Sequence, residues 1–229
     1  MNNNPYYSVP RSAVGETTLI QRVCYLLATC LLVTAGAAWW AATAQLSPGL
    51  ILPLFIGSIA CVIGITFTRR QPVVSLILLY VLSVLEGLMA GPVLSRIAHG
   101  FTMGPMIIAE SAALSALLVV GLGSYVWISN KDFGGLGKML YWALLGLFVV
   151  GLIGMFINMG GGGTLLYSLA GTVIFCGYVL YDVSNIKHRF GPEDYVMATV
   201  QLYLDFINLF WFILQILLSV SGGGSRSRD

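Results

Sequence analysis

The sequence predicts an all-α integral membrane protein with seven transmembrane helices, and three observations carry that prediction. Of the 229 residues, 58% are hydrophobic and 9% charged, whereas soluble domains are about one quarter charged; the mean hydropathy is +0.89. The apolar residues fall in runs of roughly 20, the length that crosses about 30 Å of hydrocarbon at about 1.5 Å per helical residue. They do not alternate with polar residues as the strands of a membrane β-barrel would.

Residues 1–18, MNNNPYYSVPRSAVGETT, are polar with two prolines and read as a disordered tail. The first span is expected over residues 19–44. Ala42-Thr43-Ala44 has the small residues of a signal-peptidase site, but the apolar run before it is longer than a signal h-region and carries Trp39 and Trp40, which suit an interface. The second span covers residues 50–67 and is stopped by Thr68-Arg69-Arg70-Gln71, after which Pro72 suits the first turn of a new helix. The third runs over residues 73–97, where Gly91-Pro92 should kink or unwind it because proline removes a backbone donor. The fourth covers 104–128, the loop SNKDFGGLG leads to a fifth at 138–158, and Gly160 to Gly163 read as a flexible turn. The sixth (164–186) and seventh (195–220) complete a membrane domain of residues 19–220, with 221–229 a flexible tail. Short connections make neighbouring helices antiparallel.

The basic residues set an expected orientation. Arg11, Arg22, Arg69, Arg70, Lys131, Lys138, Lys187 and Arg189 collect on the N-terminal side, against Arg96, Arg226 and Arg228 on the other. That asymmetry places the N-terminus in the cytoplasm and the C-terminus outside. A net charge of +2, scattered between spans, gives no nucleic-acid surface. Cys24, Cys30, Cys61 and Cys176 lie in apolar runs without C-x-x-C spacing, so neither a zinc site nor a disulfide framework is indicated and no cofactor is expected.

Four of the nine acidic residues fall inside spans: Glu86, Glu110, Asp182 and Asp205. An acid at the centre of a membrane helix opposes insertion by about 2.5 to 3.5 kcal/mol, so such groups face the bundle interior or water and mark ion or proton routes. Asp182 should lie about 9 Å, and Asp205 about 15 Å, below the turn joining the last two spans. Tyr178, Asp182 and Asn185 share one face of the sixth helix, and Gln201, Asp205, Asn208 and Gln215 one arc of the seventh. The simplest way to satisfy both stripes is to face each other or a watery cavity. Two carboxylates so close cannot both ionise cheaply, so they would share one proton and act as a pH sensor. Arg69 or Arg70 is the available counter-ion, with a stem long enough to reach down to a carboxylate. Glu110 is close enough to the outer end to reach water, and His99 and His188 read as exposed loop residues.

The stretch YDVSNIKHRFGPEDYVMATVQLYLDFINLF resembles the transmembrane Bax inhibitor motif family, in particular its bacterial calcium-leak members. The resemblance is close over about 50 residues from Ser168 and collinear over the rest, where Arg69-Arg70 ends the second span and Glu86-Gly87-Leu88 precedes Gly91-Pro92. It implies six helices around a central seventh and a pH-dependent Ca²⁺ leak in a bacterial inner membrane. It also implies a gating pair, Asp182 and Asp205, that meets Ca²⁺ transiently, and an arginine latch at Arg69-Arg70. Glu86, Glu110, Asn208, Tyr178 and Asn185 are further candidates for an ion path, since a hard cation takes oxygen ligands. A proton-coupled cation exchanger, and a non-conducting modulator of a protease or cell-death regulator acting through a membrane-protein partner, stand as alternatives. An intramembrane aspartyl protease would need G-x-G-D where Tyr203-Leu204-Asp205 stands, and no H-E-x-x-H or G-x-S-x-G occurs, so no enzyme is expected.

Overall fold

A computed structural model describes residues 13–44, 46–69, 71–157 and 159–222. Among them are seven α-helices: α1 (Ala13–Thr43), α2 (Ile51–Phe67), α3 (Pro72–Gly100), α4 (Gly104–Ser129), α5 (Gly137–Phe156), α6 (Gly160–His188) and α7 (Tyr195–Gly222). Six are long and apolar enough to cross a membrane. At 17 residues α2 is shorter, about 26 Å by helical rise.

The apolar runs set these boundaries, and the differences from the sequence reading have local causes. The first helix starts at Ala13, so the last six residues of the expected tail are helical; residues 1–12 and 223–229 lie outside the described residues. Gly160 to Gly163 form the first turn of α6 instead of a loop. The reversal is confined to Gly160, whose φ of +63° suits a residue without Cβ, and three further glycines are tolerated where the helix has the fewest bonds to lose. α3 continues through Pro92 without a break. Its Gly87 and Gly91, one turn apart, lie against the backbone of α1 at Thr34 and Ala38. This close helix contact packs the segment around Pro92 against α1, and small residues at helix interfaces allow such an approach in membranes.

Every second connection lies at the same end of the bundle. At one end, which we call the basic end, Arg22 of α1 stacks over Tyr195 of α7 and Arg69 after α2 meets Asp194 before α7. At the same end Arg189 after α6 meets Asp132 between α4 and α5. At the far end Ser221 of α7 shares a cleft with Phe101 of the α3–α4 turn. α7 is the central helix and packs against α1, α2, α3, α4 and α6; α5 covers the outside of α6. The core runs along α7, where Leu202, Tyr203, Leu209 and Leu214 are buried against the surrounding helices. Large apolar side chains on the outer faces, such as Leu32, Val120, Phe148 and Val173, are exposed as a lipid-facing surface requires. Cys30 and Cys61 are buried in the packing, whereas Cys24 is exposed.

Candidate functional site

The structure brings Asp182 and Asp205 together. Asp182 opens a continuous buried stretch of α6 that runs to Ile186, and Asp205 projects from α7, so the central helix presents one acid to its sequence neighbour. Only 5% of Asp182 and 3% of Asp205 is exposed, and the two carboxyl groups lie close enough to interact directly. A hydrogen bond between carboxyls needs at least one proton on the pair, because an ionised carboxylate only accepts. Among the described residues Oδ2 of Asp205 is buried without a partner, and so is Oε1 of Gln201 one turn away. Tyr178 lies close enough to feel both acids.

The remaining stripe residues divide among different neighbours. Gln215 Oε1 accepts from Ser168 Oγ at 2.8 Å, a second polar tie between α6 and α7 near the far end. Asn208 Nδ2 donates to its own helix at Leu204 O, 2.7 Å, and its side chain faces a cleft between α2, α3 and α7 that also holds Glu86. The structure therefore does not turn Asn208 toward α6. Asn185 is buried and accepts from Arg189 Nη1 at 2.9 Å, at the basic end. Glu110 is exposed near the α3–α4 turn at the far end, away from the pair. His99 and His188 are exposed as expected, but they lie in the last turns of α3 and α6 and not in loops.

The counter-ion reading needs correction. Arg69 does not reach down to the aspartates: its Nε and Nη2 each lie 2.9 Å from Oδ1 of Asp194, and its guanidinium stacks 5.8 Å from the centre of the Phe190 ring. Asp194 sits in a 3₁₀ turn (Pro192–Asp194) between α6 and α7, where its Oδ2 also accepts from the Gly191 N–H. It is the nearer anion, so Arg69 ties the end of α2 to the α6–α7 turn, and the aspartate holds the guanidinium more firmly protonated. Arg70 lies outside the described residues.

Two polar clusters were not anticipated. At the basic end Asp132 takes both guanidinium nitrogens of Arg189, at 3.0 and 2.9 Å, together with the Gly134 N–H and the Ser184 hydroxyl. Arg189 beside Asp132, then the Gly134 N–H, hold this carboxyl well below the usual carboxylate range. Lys187 donates to Trp127 O at 2.6 Å and to Asn130 Oδ1, and Asn130 adopts the left-handed conformation that ends α4. In the bundle interior the Tyr203 hydroxyl lies 2.7 Å from Thr34 Oγ1, which also reaches the carbonyls of Cys30 and Ser83. Polar residues were legible in each segment, but not which segments meet.

A bundle of long apolar helices with two acids buried together at its centre defines an integral membrane protein of the kind that keeps ionisable groups away from lipid. Residues 16–222 match the family model described as inhibitor of apoptosis-promoting Bax1, and the chain belongs to that Bax inhibitor-1 family. It is 34% identical over 173 residues to Bax inhibitor 1 of Schizosaccharomyces pombe, covering 76% of this chain and 63% of that protein. It is 35% identical over 173 residues to the Golgi anti-apoptotic protein of Vaccinia virus (strain Lister), covering 76% and 70%. To protein lifeguard 4 of Mus musculus it is 30% identical over 175 residues, covering 76% and 71%. The match therefore spans less than two thirds of the yeast protein's length.

Proposed function

We propose that the protein is a passive, pH-sensitive cation leak, carrying Ca²⁺, in which Asp182 and Asp205 form the gate. The observation that carries this reading is the burial of two neighbouring carboxyls between α6 and the central helix α7. With one proton shared, the pair is a hydrogen bond that draws the two helices together. Without it, two anions about 4 Å apart repel by on the order of 4 kcal/mol at an effective dielectric near 20, enough to change which packing of α6 on α7 is favoured. The same oxygens, with the Tyr178 hydroxyl nearby, suit a hard cation met in passing and not caged. The latch in this proposal is Arg69 on Asp194, because it fastens the turn between the gate helices to the end of α2. The proposed setting is a bacterial inner membrane with the basic end in the cytoplasm, by the excess of Lys and Arg there.

The test is Ca²⁺ influx into proteoliposomes over a pH series, with Asp182→Asn and Asp205→Asn beside the wild type. The expected outcome is a wild-type flux that changes with pH and a flattened profile in both variants; identical pH profiles in all three proteins would reject the gate. The names of the yeast and viral relatives favour a second reading, a modulator of cell-death proteins that acts through a membrane partner. Such a modulator carries no flux when reconstituted alone. A proton-coupled exchanger would give saturable flux that depends on a counter-gradient.

A further inference from the structure

A cleft of about 510 Å³ opens on the side of the bundle between α2, α3 and α7, within the size range of small-ligand sites. Its walls are apolar, and Phe55, Ile59 and Ile63 at its mouth are 45 to 51% exposed, so it faces the region the bilayer fills. Its floor is polar. Glu86 stands midway along α3, about 21 Å from either end of that helix by helical rise, and makes no ion pair among the described residues. Ser58 Oγ faces the same cleft beside Glu86, with the residue only 4% exposed and no hydrogen bond within 3.5 Å among the described residues. Asn208 completes the floor: one N–H of its amide is given to Leu204 O, and its carbonyl oxygen is an acceptor available to the cleft. Among the described residues no Lys, Arg or His lines the cavity. An acid, a hydroxyl oxygen and an amide oxygen give this floor three acceptors and no positive charge to face the acid.

We propose that this cleft is a binding site for a hydrophobic amine that enters from the membrane, its ammonium group held by Glu86, Ser58 and Asn208 and its alkyl or aryl body lying along α2 and α7. A neutral lipid tail would fill the walls but leave the acid unpaired at mid-membrane, where an unpaired charge is costly. An ammonium has three donors to set against the three acceptors on the floor. The inference rests on the cleft alone and does not depend on the gate.

The test uses a photoreactive diazirine octylamine and the chain-matched diazirine alcohol with the purified full-length protein in liposomes. Labelled residues are mapped by mass spectrometry. The amine is expected to label residues 51–63, 86–93 and 204–211 saturably, and at least about tenfold more than the alcohol, since charge-assisted hydrogen bonds contribute about 1.5 to 3 kcal/mol. Glu86→Gln should remove that preference. Met89→Trp, which fills the cleft but keeps the acid, should displace the probe and covers the case in which Glu86→Gln does not fold. Asp182→Asn should leave the labelling unchanged, so failure of the gate and failure of this site are distinguishable. Equal labelling by amine and alcohol, an amine preference that survives Glu86→Gln, or loss of labelling in Asp182→Asn would each overturn the assignment.

Discussion

Adding one methyl group to the contact between α1 and α3 should loosen the whole bundle. A Cβ at Gly87 would lie 2.4 Å from Thr34 O and 2.7 Å from Ala37 Cβ, closer than real Cβ contacts, which start near 3.0 Å and are ordinary from 3.4 Å. Gly87→Ala therefore requires α1 and α3 to separate by about 0.6 to 1.0 Å, and a gap of that size forfeits a quarter to a half of each contact's dispersion energy. Overpacking of this kind costs about 1 to 3 kcal/mol. The displaced residue is Thr34, whose hydroxyl lies 2.7 Å from that of Tyr203; stretching that bond beyond about 3.2 Å adds about 0.6 kcal/mol, the mean for polar pairs between membrane helices. Alanine returns about 0.5 to 1 kcal/mol as the better helix former, which leaves a net loss of about 2 kcal/mol. The matched control is Gly121→Ala in α4, where an added Cβ meets nothing within 4 Å and stability should hold or rise slightly. Unfolding of the two variants in micelles, followed by tryptophan emission against SDS fraction, measures the difference. The reasoning also requires that Tyr203→Phe cost less in the Gly87→Ala background than in the wild type, because the bond it removes is already stretched. If Gly87→Ala matches Gly121→Ala in stability, the close approach of α1 and α3 is refuted.

Three further outcomes follow from the polar ties. Because the Asp132 carboxyl is held below its ordinary value, its contribution is present above about pH 4 and lost as the pH falls below that; protection factors of amides in residues 131–136 should drop on acidification in the wild type and be flat in Asp132→Asn. Arg69→Gln should lower stability by about 1 kcal/mol, modest because the Arg69 side chain is 51% exposed and solvent screens the pair, and Arg69→Lys should restore only part because it cannot place two nitrogens on Asp194. A double-mutant cycle of Ser168→Ala with Gln215→Leu should return a coupling of about 0.6 kcal/mol in the same unfolding assay; a coupling near zero would mean that the two helices do not meet there.

Hydropathy made the helices legible because a membrane leaves the chain few other options: backbone groups must be satisfied within each span. The acids were legible for the same reason, since a carboxyl among apolar residues stands out and two polar stripes on consecutive antiparallel helices have few other partners. Arg69 was legible as a basic residue that would seek an acid, but not as the partner of Asp194. Choosing between a near acid in a turn and a distant one inside the bundle requires knowing how far α2 lies from the α6–α7 turn, which no periodicity encodes. Pro92 and the glycines from Gly160 were misread in the same way. Their intrinsic preferences oppose a helix, and the packing that overrides them, Gly87 and Gly91 on α1 in the first case, comes from a segment some fifty residues away.

The central helix gives these separate contacts a common consequence. Within four turns α7 sends Tyr203 to α1, Asp205 to α6, Asn208 into the cleft beside α2 and α3, and Gln215 back to α6. At about 100° per residue, Tyr203 leaves α7 on the side away from Asp205, Asn208 and Gln215, so a rotation that tightened contacts on one side would loosen those on the other. A change at the acidic pair that moved α7 relative to α6 by as little as 1 Å would therefore stretch the Tyr203–Thr34 bond on the opposite wall. Interiors packed this closely shift between discrete arrangements and do not deform smoothly. Tyr203→Phe should accordingly alter the pH dependence of the proposed leak although its hydroxyl touches neither aspartate. A pH profile in Tyr203→Phe that superimposes on the wild type would show that α7 does not transmit the state of the pair.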